Sequence, residues 1–388
     1  MFPVTLLLLH CLFSSVFAVI PKVCITNLTS SPAVCCPVPA GFDQPCGGPD
    51  RGICEPVQVY HNFLVEKYRY FYPKDIRFRW PERLFQHMCK CQGTFFGPGC
   101  GECWFGYEGP NCDRRVLRKR KNIMRLNATE RRQYVEISMK LRESKSEYVV
   151  PKLSLNQLRW TGEYSEVDPL EMLVFVHYLS GIPEINNNKS LCMKLEAMVW
   201  NYGHMGAGFN SYHRFLLLWL EREYQKVASK LFGIEDFTLP YWDWTNSRIC
   251  DPCIDDLIGS LSKEVDAATS GYYVSSKSPF GTSRWKTYCS FKENVDNICY
   301  PCKLDRKRFN RVSRQIYKFD FPTAEEVIEF LGLVSYHNSD ACADAENFLE
   351  SGWDCTCAWK LSKIMLHSKV HKFTHGTMDP LPLSLIHI

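Results

Sequence analysis

The chain has 388 residues, 45% hydrophobic and 23% charged, a balance that gives a folded globular protein and excludes a disordered one. Its net charge of +4 is too mild to argue for a nucleic-acid partner. Twenty cysteines are normal only where disulfides form, so the chain belongs to an oxidising compartment.

Residues 1–18 read as a secretory signal peptide. Leu6 to Leu9 and Cys11 to Phe17 form an apolar core too short to span a bilayer, and Val16 and Ala18 are small residues where a signal peptidase reads. Loss of Cys11 leaves nineteen cysteines, an odd number. Cys192, standing apart from the cysteine clusters, is the candidate for the unpaired one. Asn27, Asn127 and Asn188 each open an N-x-S/T triplet and are expected N-glycan acceptors. After the signal no stretch reaches about 18 apolar residues, so a membrane anchor would have to follow residue 388.

Residues 19–115 form a cysteine-rich domain. Its ten cysteines can make five bridges of open connectivity, and it ends C-K-C-x8-C-x2-C-x8-C, with glycines where tight turns are needed. This run resembles an epidermal-growth-factor-like module. Arg114 to Lys121, RRVLRKRK, reads as a solvated domain joint before it reads as a processing site or a landing place for an anion.

Residues 116–382 read as helical. One helix opens at Asn127-Ala-Thr-Glu and runs toward Lys145. A second starts at Asp168-Pro-Leu-Glu, with an N-cap, a proline at its first position and an early glutamate, and continues through FVHYL. A third spans Tyr212 to Lys230. There Phe215, Leu216, Trp219 and Leu220 give a buried stripe, and Glu221 to Glu223 and Lys226 are expected to face water. A short helix follows the capping signal at Thr323, and the last helix covers 358–373.

Five of the eleven histidines fall on or beside these helices: His177, His204, His213, His367 and His371. Imidazole nitrogen suits copper, zinc, iron and nickel. His367 and His371 are four apart and share one helix face, but their segment lacks the glutamate of H-E-x-x-H, which disfavours a zinc protease. VHYL, H-x8-H-R-F-L-L-L-W-L-E, F-T-L-P-Y-W-D-W, C-D-P-C-x-D-D-L-I-G and H-x3-H before GTM follow in order. As a set they resemble vertebrate-type tyrosinase and the tyrosinase-related proteins.

That resemblance implies a mainly α protein, a type 3 copper four-helix bundle preceded by a small disulfide-rich EGF-like domain. It implies two copper ions, with His177, His204 and His213 holding the first and His367 and His371 two positions of the second. The reaction implied is hydroxylation of monophenols and oxidation of o-diphenols to o-quinones, with a small phenol and dioxygen as partners. Its setting would be melanin-type pigment synthesis in the melanosome lumen or membrane, or outside the cell. The alternatives are a zinc-holding related protein with a tautomerase or accessory role, and an inactive secreted glycoprotein of the same fold.

Three departures stand out. Met205 follows His204 where the family has an acidic residue. Ser368 follows His367 where the family has a water-positioning asparagine; a serine hydroxyl can still hold a water. The sixth histidine would fall beyond Ile388, so the chain as written is expected to be inactive. Residues 383–388, LSLIHI, read as a non-native tail, and His387 is not counted as a ligand. Arg214 and Asp243 also sit in matching motifs and are expected to be structural ion-pairing groups or supports behind the ligands.

Overall fold

The computed structural model describes residues 19–57, 80–81, 84–154, 159–181, 209–247, 249–266, 271–282, 313–314, 322–331 and 370. The signal peptide, Asn188, Cys192 and nearly all of the 358–373 helix lie outside them. The chain divides into two compact units, Met1–Lys119 with Lys145–Val167, and Arg120–Ser144 with Asp168–Ile388.

The first unit is built of short strands: β1 (Ile20–Pro21), β2 (Val34–Cys35), β3 (Gly52–Pro56), β4 (His87–Cys91), β5 (Phe95–Phe96), β6 (Glu102–Cys103), β7 (Tyr107–Glu108), β8 (Arg114–Arg115), β9 (Tyr148–Ser154) and β10 (Arg159–Glu166). β4 is central to one sheet, parallel to β2 and antiparallel to β3; β5–β6 and β7–β8 are separate hairpins. Such strands bury little apolar surface, so disulfides do much of the holding. The bridges join Cys24 to Cys35, Cys36 to Cys54, Cys46 to Cys89, Cys91 to Cys100 and Cys103 to Cys112. All ten cysteines of the region are thus paired. Gly52 is required by contact: a Cβ there would lie 2.5 Å from Cys100 Sγ.

A buried arginine sits among these bridges. Arg51 lies between two rings, its guanidinium carbon 4.2 Å from the centre of Phe42 and 4.4 Å from that of Phe95, and it donates to the Pro110 and Cys100 carbonyls. Replacing Arg51 by alanine removes both stacking contacts and leaves the carbonyls unpaired, an expected loss of about 2–3 kcal/mol. Thermal unfolding checks this; a melting temperature equal to that of the parent would mean the sandwich adds nothing.

β9 and β10 form a hairpin whose outer partner is β1, with Ile20 opposite Val149, both fully buried. Half-exposed Glu166 accepts from Lys145 at 2.8 Å and Lys22 at 2.5 Å, and these two ammonium groups hold its carboxyl down to about 2 from the ordinary 4.5. A lowered folded value means that the stabilisation is complete above pH 4.5 and is lost as pH falls toward about 2. Glu166→Gln should therefore flatten the acid limb of a pH-denaturation series, and salt should do the same because the ions are exposed. A limb of unchanged slope would mean that these pairs do not set it.

The second unit holds α1 (Ala128–Glu143), α2 (Pro169–Gly181), α3 (Phe209–Phe232), the strands β11 (Leu261–Asp266), β12 (Gly271–Val274) and β13 (Ser313–Arg314), and α4 (Ala324–Leu331). α1 starts in a full capping box: Asn127 Oδ1 accepts from the Thr129 and Glu130 amides, and Glu130 returns the bond to the Asn127 amide. The buried faces of α1, α2 and α3 meet around Ile137, Leu141, Met172, Leu173, Phe175 and Leu216. Tyr224 donates to Ser138 Oγ at 3.0 Å, joining α3 to α1, and burial pushes its phenol up to about 12.

Several expectations need correction. The described residues are not mainly α and do not form a clear four-helix bundle: α1, α2 and α3 pack together, while thirteen strands lie in five small sheets. Strands of two to eight residues, tied by cysteines or pairing through polar sequences such as RWTGEYSE, carry too little period-two alternation to announce themselves. Glu221 and Glu223 are buried, not water-facing. Glu221 accepts both Arg120 Nε at 2.8 Å and Arg120 Nη2 at 2.7 Å, and also the Leu239 amide; Glu223 pairs with Lys226. The basic run is partly consumed the same way, Arg114 and Arg118 by Glu108 and Lys121 by Glu130.

Candidate metal centre

α2 and α3 place the first two candidate ligands. Asp168 caps α2, accepting from the Glu171 amide at 2.9 Å, and Arg142 from the end of α1 holds both its oxygens. Two turns further His177 is almost wholly buried, at 1% exposure. α3 begins before Tyr212, earlier than the apolar pattern indicates, so His213 sits inside its first turns. His177 Nε2 and His213 Nε2 are 3.3 Å apart and the rings meet edge to face, 5.4 Å between centres.

That spacing tests the site. Two imidazole nitrogens each about 2.0–2.1 Å from one ion at a tetrahedral angle lie about 3.3 Å from each other. The donors are imidazole nitrogens, a ligand type that a transition metal selects. The residues present fit a metal ion.

Tyr212, which sequence reasoning passed over, backs the pair. Its ring is 5.4 Å from that of His213 and 6.5 Å from that of His177, and its hydroxyl donates to the Val176 carbonyl at 3.2 Å. Burial pushes this phenol well above the usual tyrosine range, so it stays neutral beside the imidazoles. Ser180 Oγ donates to the His177 carbonyl at 2.6 Å. The only cue in the sequence was adjacency: Tyr212 precedes His213 and Ser180 follows His177 by three.

His204, His367, His371 and Ser368 lie outside the described residues. Asp243 caps a short turn, accepting from the Thr245 hydroxyl at 2.6 Å. The one cluster of ligand-type atoms among the described residues, the sulfurs of Cys36, Cys46 and Cys89, is made of disulfide sulfurs and offers no thiolate. No helix among them is long and apolar enough to cross a membrane.

A family model for the common central domain of tyrosinase matches residues 168–385, from the cap of α2 onward. Tyrosinase of Pelophylax lessonae is 29% identical over 397 residues, spanning 96% of this chain and 69% of its own. Tyrosinase of Coturnix japonica is 31% identical over 244 residues, spanning 62% of this chain and 85% of its own. The 5,6-dihydroxyindole-2-carboxylic acid oxidase of Bos taurus is 28% identical over 396 residues, spanning 96% and 70%. The chain belongs to the tyrosinase family.

Proposed function

We propose that the full-length protein is a copper oxidoreductase that hydroxylates monophenols and oxidises o-diphenols to o-quinones, in pigment synthesis within the secretory pathway. The observation that carries this is the 3.3 Å approach of His177 Nε2 and His213 Nε2 in a chain of this family. His177, His213 and His204 would hold one copper, and His367 and His371 would take part in holding the second. Bound copper supplies one-electron cycling and activation of dioxygen.

The protein's own residues do the rest. Burial of His177 keeps bulk water off its ring, the setting in which bound copper would react without side reactions with solvent. Tyr212, neutral and tied to Val176, fills the space behind the rings without offering a competing anion. Ser180 fixes the last turn of α2 at the His177 carbonyl. Ser368 would orient a water toward the phenol hydroxyl. The membership gives no support to zinc. Glycans are proposed at Asn27, Asn127 and Asn188; Asn127 is exposed, and its capping bonds use only Oδ1.

The test is to express the full-length chain in a secretory host with copper, then measure metal content and oxygen uptake with a catechol and a monophenol. Binding of about two coppers per chain, with uptake on catechol, is expected. A folded protein that takes up no copper would sink the proposal and leave an inactive glycoprotein on an inherited fold.

A further inference from the structure

We propose that the Tyr212 hydroxyl sets the spacing of His177 and His213 by pinning α3 to the last turns of α2. The two candidate ligands come from different helices, so their 3.3 Å approach depends on how α2 and α3 lie against each other at that level. The phenol donates to the Val176 carbonyl at 3.2 Å. That bond joins the residue directly before one histidine to the residue directly before the other. It therefore crosses between the helices within one residue of both rings.

The hydroxyl has a built seat. Tyr212 is 3% exposed, and Ser180, fully buried, has its side chain within hydrogen-bonding reach of the phenol. Ser180 Oγ also donates to the His177 carbonyl at 2.6 Å, so the phenol and the backbone of the ligand share one small polar cluster. A carbonyl oxygen has two lone pairs, so a hydroxyl can bond it without displacing a helical amide. The ring completes the brace, lying 27° from the plane of His177 and edge-on to His213 at 89°. A phenylalanine would keep both ring contacts and lose only the bond across the helices.

The loss of that bond matters because a ligand set must be held to within about 0.5 Å of its working geometry. Partners that orient metal ligands are worth about 10–100-fold in metal affinity. Tyr212 is thus a positioning residue and not a ligand. Tyr224 supplies a matched control. It stands on the same helix, is also almost fully buried, and its hydroxyl also crosses to another helix, to Ser138 of α1. It lies eleven residues beyond His213 (224 − 213), about 16 Å along the axis.

This role rests on the proposed function for its meaning, but the metal-free measurement does not. Full-length parent, Tyr212→Phe and Tyr224→Phe proteins are compared. Each variant loses one buried hydrogen bond, so a purely structural role would move both alike. Without metal, hydrogen exchange in the peptide covering 176–181 is expected to rise about tenfold in Tyr212→Phe and to keep the parent rate in Tyr224→Phe. Titrated with Cu(II) alone, Tyr212→Phe should bind one ion about tenfold or more weakly, with an altered electron paramagnetic resonance spectrum. Tyr224→Phe should match the parent in both. Parent-like exchange at 176–181 in Tyr212→Phe would overturn the proposal. So would parent-like copper affinity and spectrum, or equal effects in Tyr224→Phe, which would make the hydroxyl a general prop. A parent protein that binds no copper would defeat the proposed function, and the exchange comparison would still decide whether Tyr212 pins α2.

Discussion

Arg142→Ala is expected to cost about 3–5 kcal/mol of stability, because it strands a buried carboxylate. Arg142 and Asp168 are 5% and 9% exposed, and one guanidinium nitrogen lies 2.9 Å from both carboxylate oxygens. Burial pushes the Asp168 carboxyl up despite the arginine, which pulls it down. With a raised folded value the sign is opposite to that of Glu166: stability from this group is greatest in acid and falls as pH rises from its ordinary 3.8 through its folded value. The arginine limits that loss at neutral pH. Since Asp168 also caps the helix of His177, the damage reaches the site. Arg142→Ala with Asp168→Asn keeps a capping oxygen and removes both charges, so it should recover much of the loss. A double-variant cycle by denaturant unfolding measures this; additive losses would mean that the two charges are not coupled.

Copper binding by the full-length protein should fall when His213 becomes alanine, by more than the about 10–100-fold lost with a supporting partner, and catechol oxidation should stop. His213 is the cleaner variant. His177 is almost fully buried, so truncating it opens a cavity and costs stability as well. Metal analysis of His213→Ala alongside its helical circular dichroism separates ligand loss from unfolding. A full copper load in that variant would remove His213 from the ligand set and leave the 3.3 Å approach of the two rings without a metal-binding role.

Helices with strong ends were legible. Asn127-Ala-Thr-Glu and Asp168-Pro-Leu-Glu gave their caps directly, because capping chemistry is local. The stripe Phe215, Leu216, Trp219 and Leu220 is buried as its spacing predicts. Glu221 and Glu223 defied the same rule. A carboxylate on a helix is expected outside unless a partner arrives, and Arg120, 101 residues away in the chain, is one that no window of sequence can see. The β9–β10 hairpin was missed for a different reason: it pairs locally, but a polar run such as RWTGEYSE carries too little period-two alternation to mark a strand.

The sequence by itself determined the ingredients: an oxidising compartment, a cysteine-rich stretch, a set of imidazoles on helix-forming segments, and an ordered string of motifs that names the family. These are matters of composition and local spacing, where each residue carries its own chemistry. Only the tertiary structure decided which cysteine meets which, that α2 and α3 bring His177 and His213 to metal-sharing distance, and that Tyr212 reaches across to Val176. Those are contacts between distant residues, fixed by burial of the core and by the pairing of charges that burial would otherwise penalise.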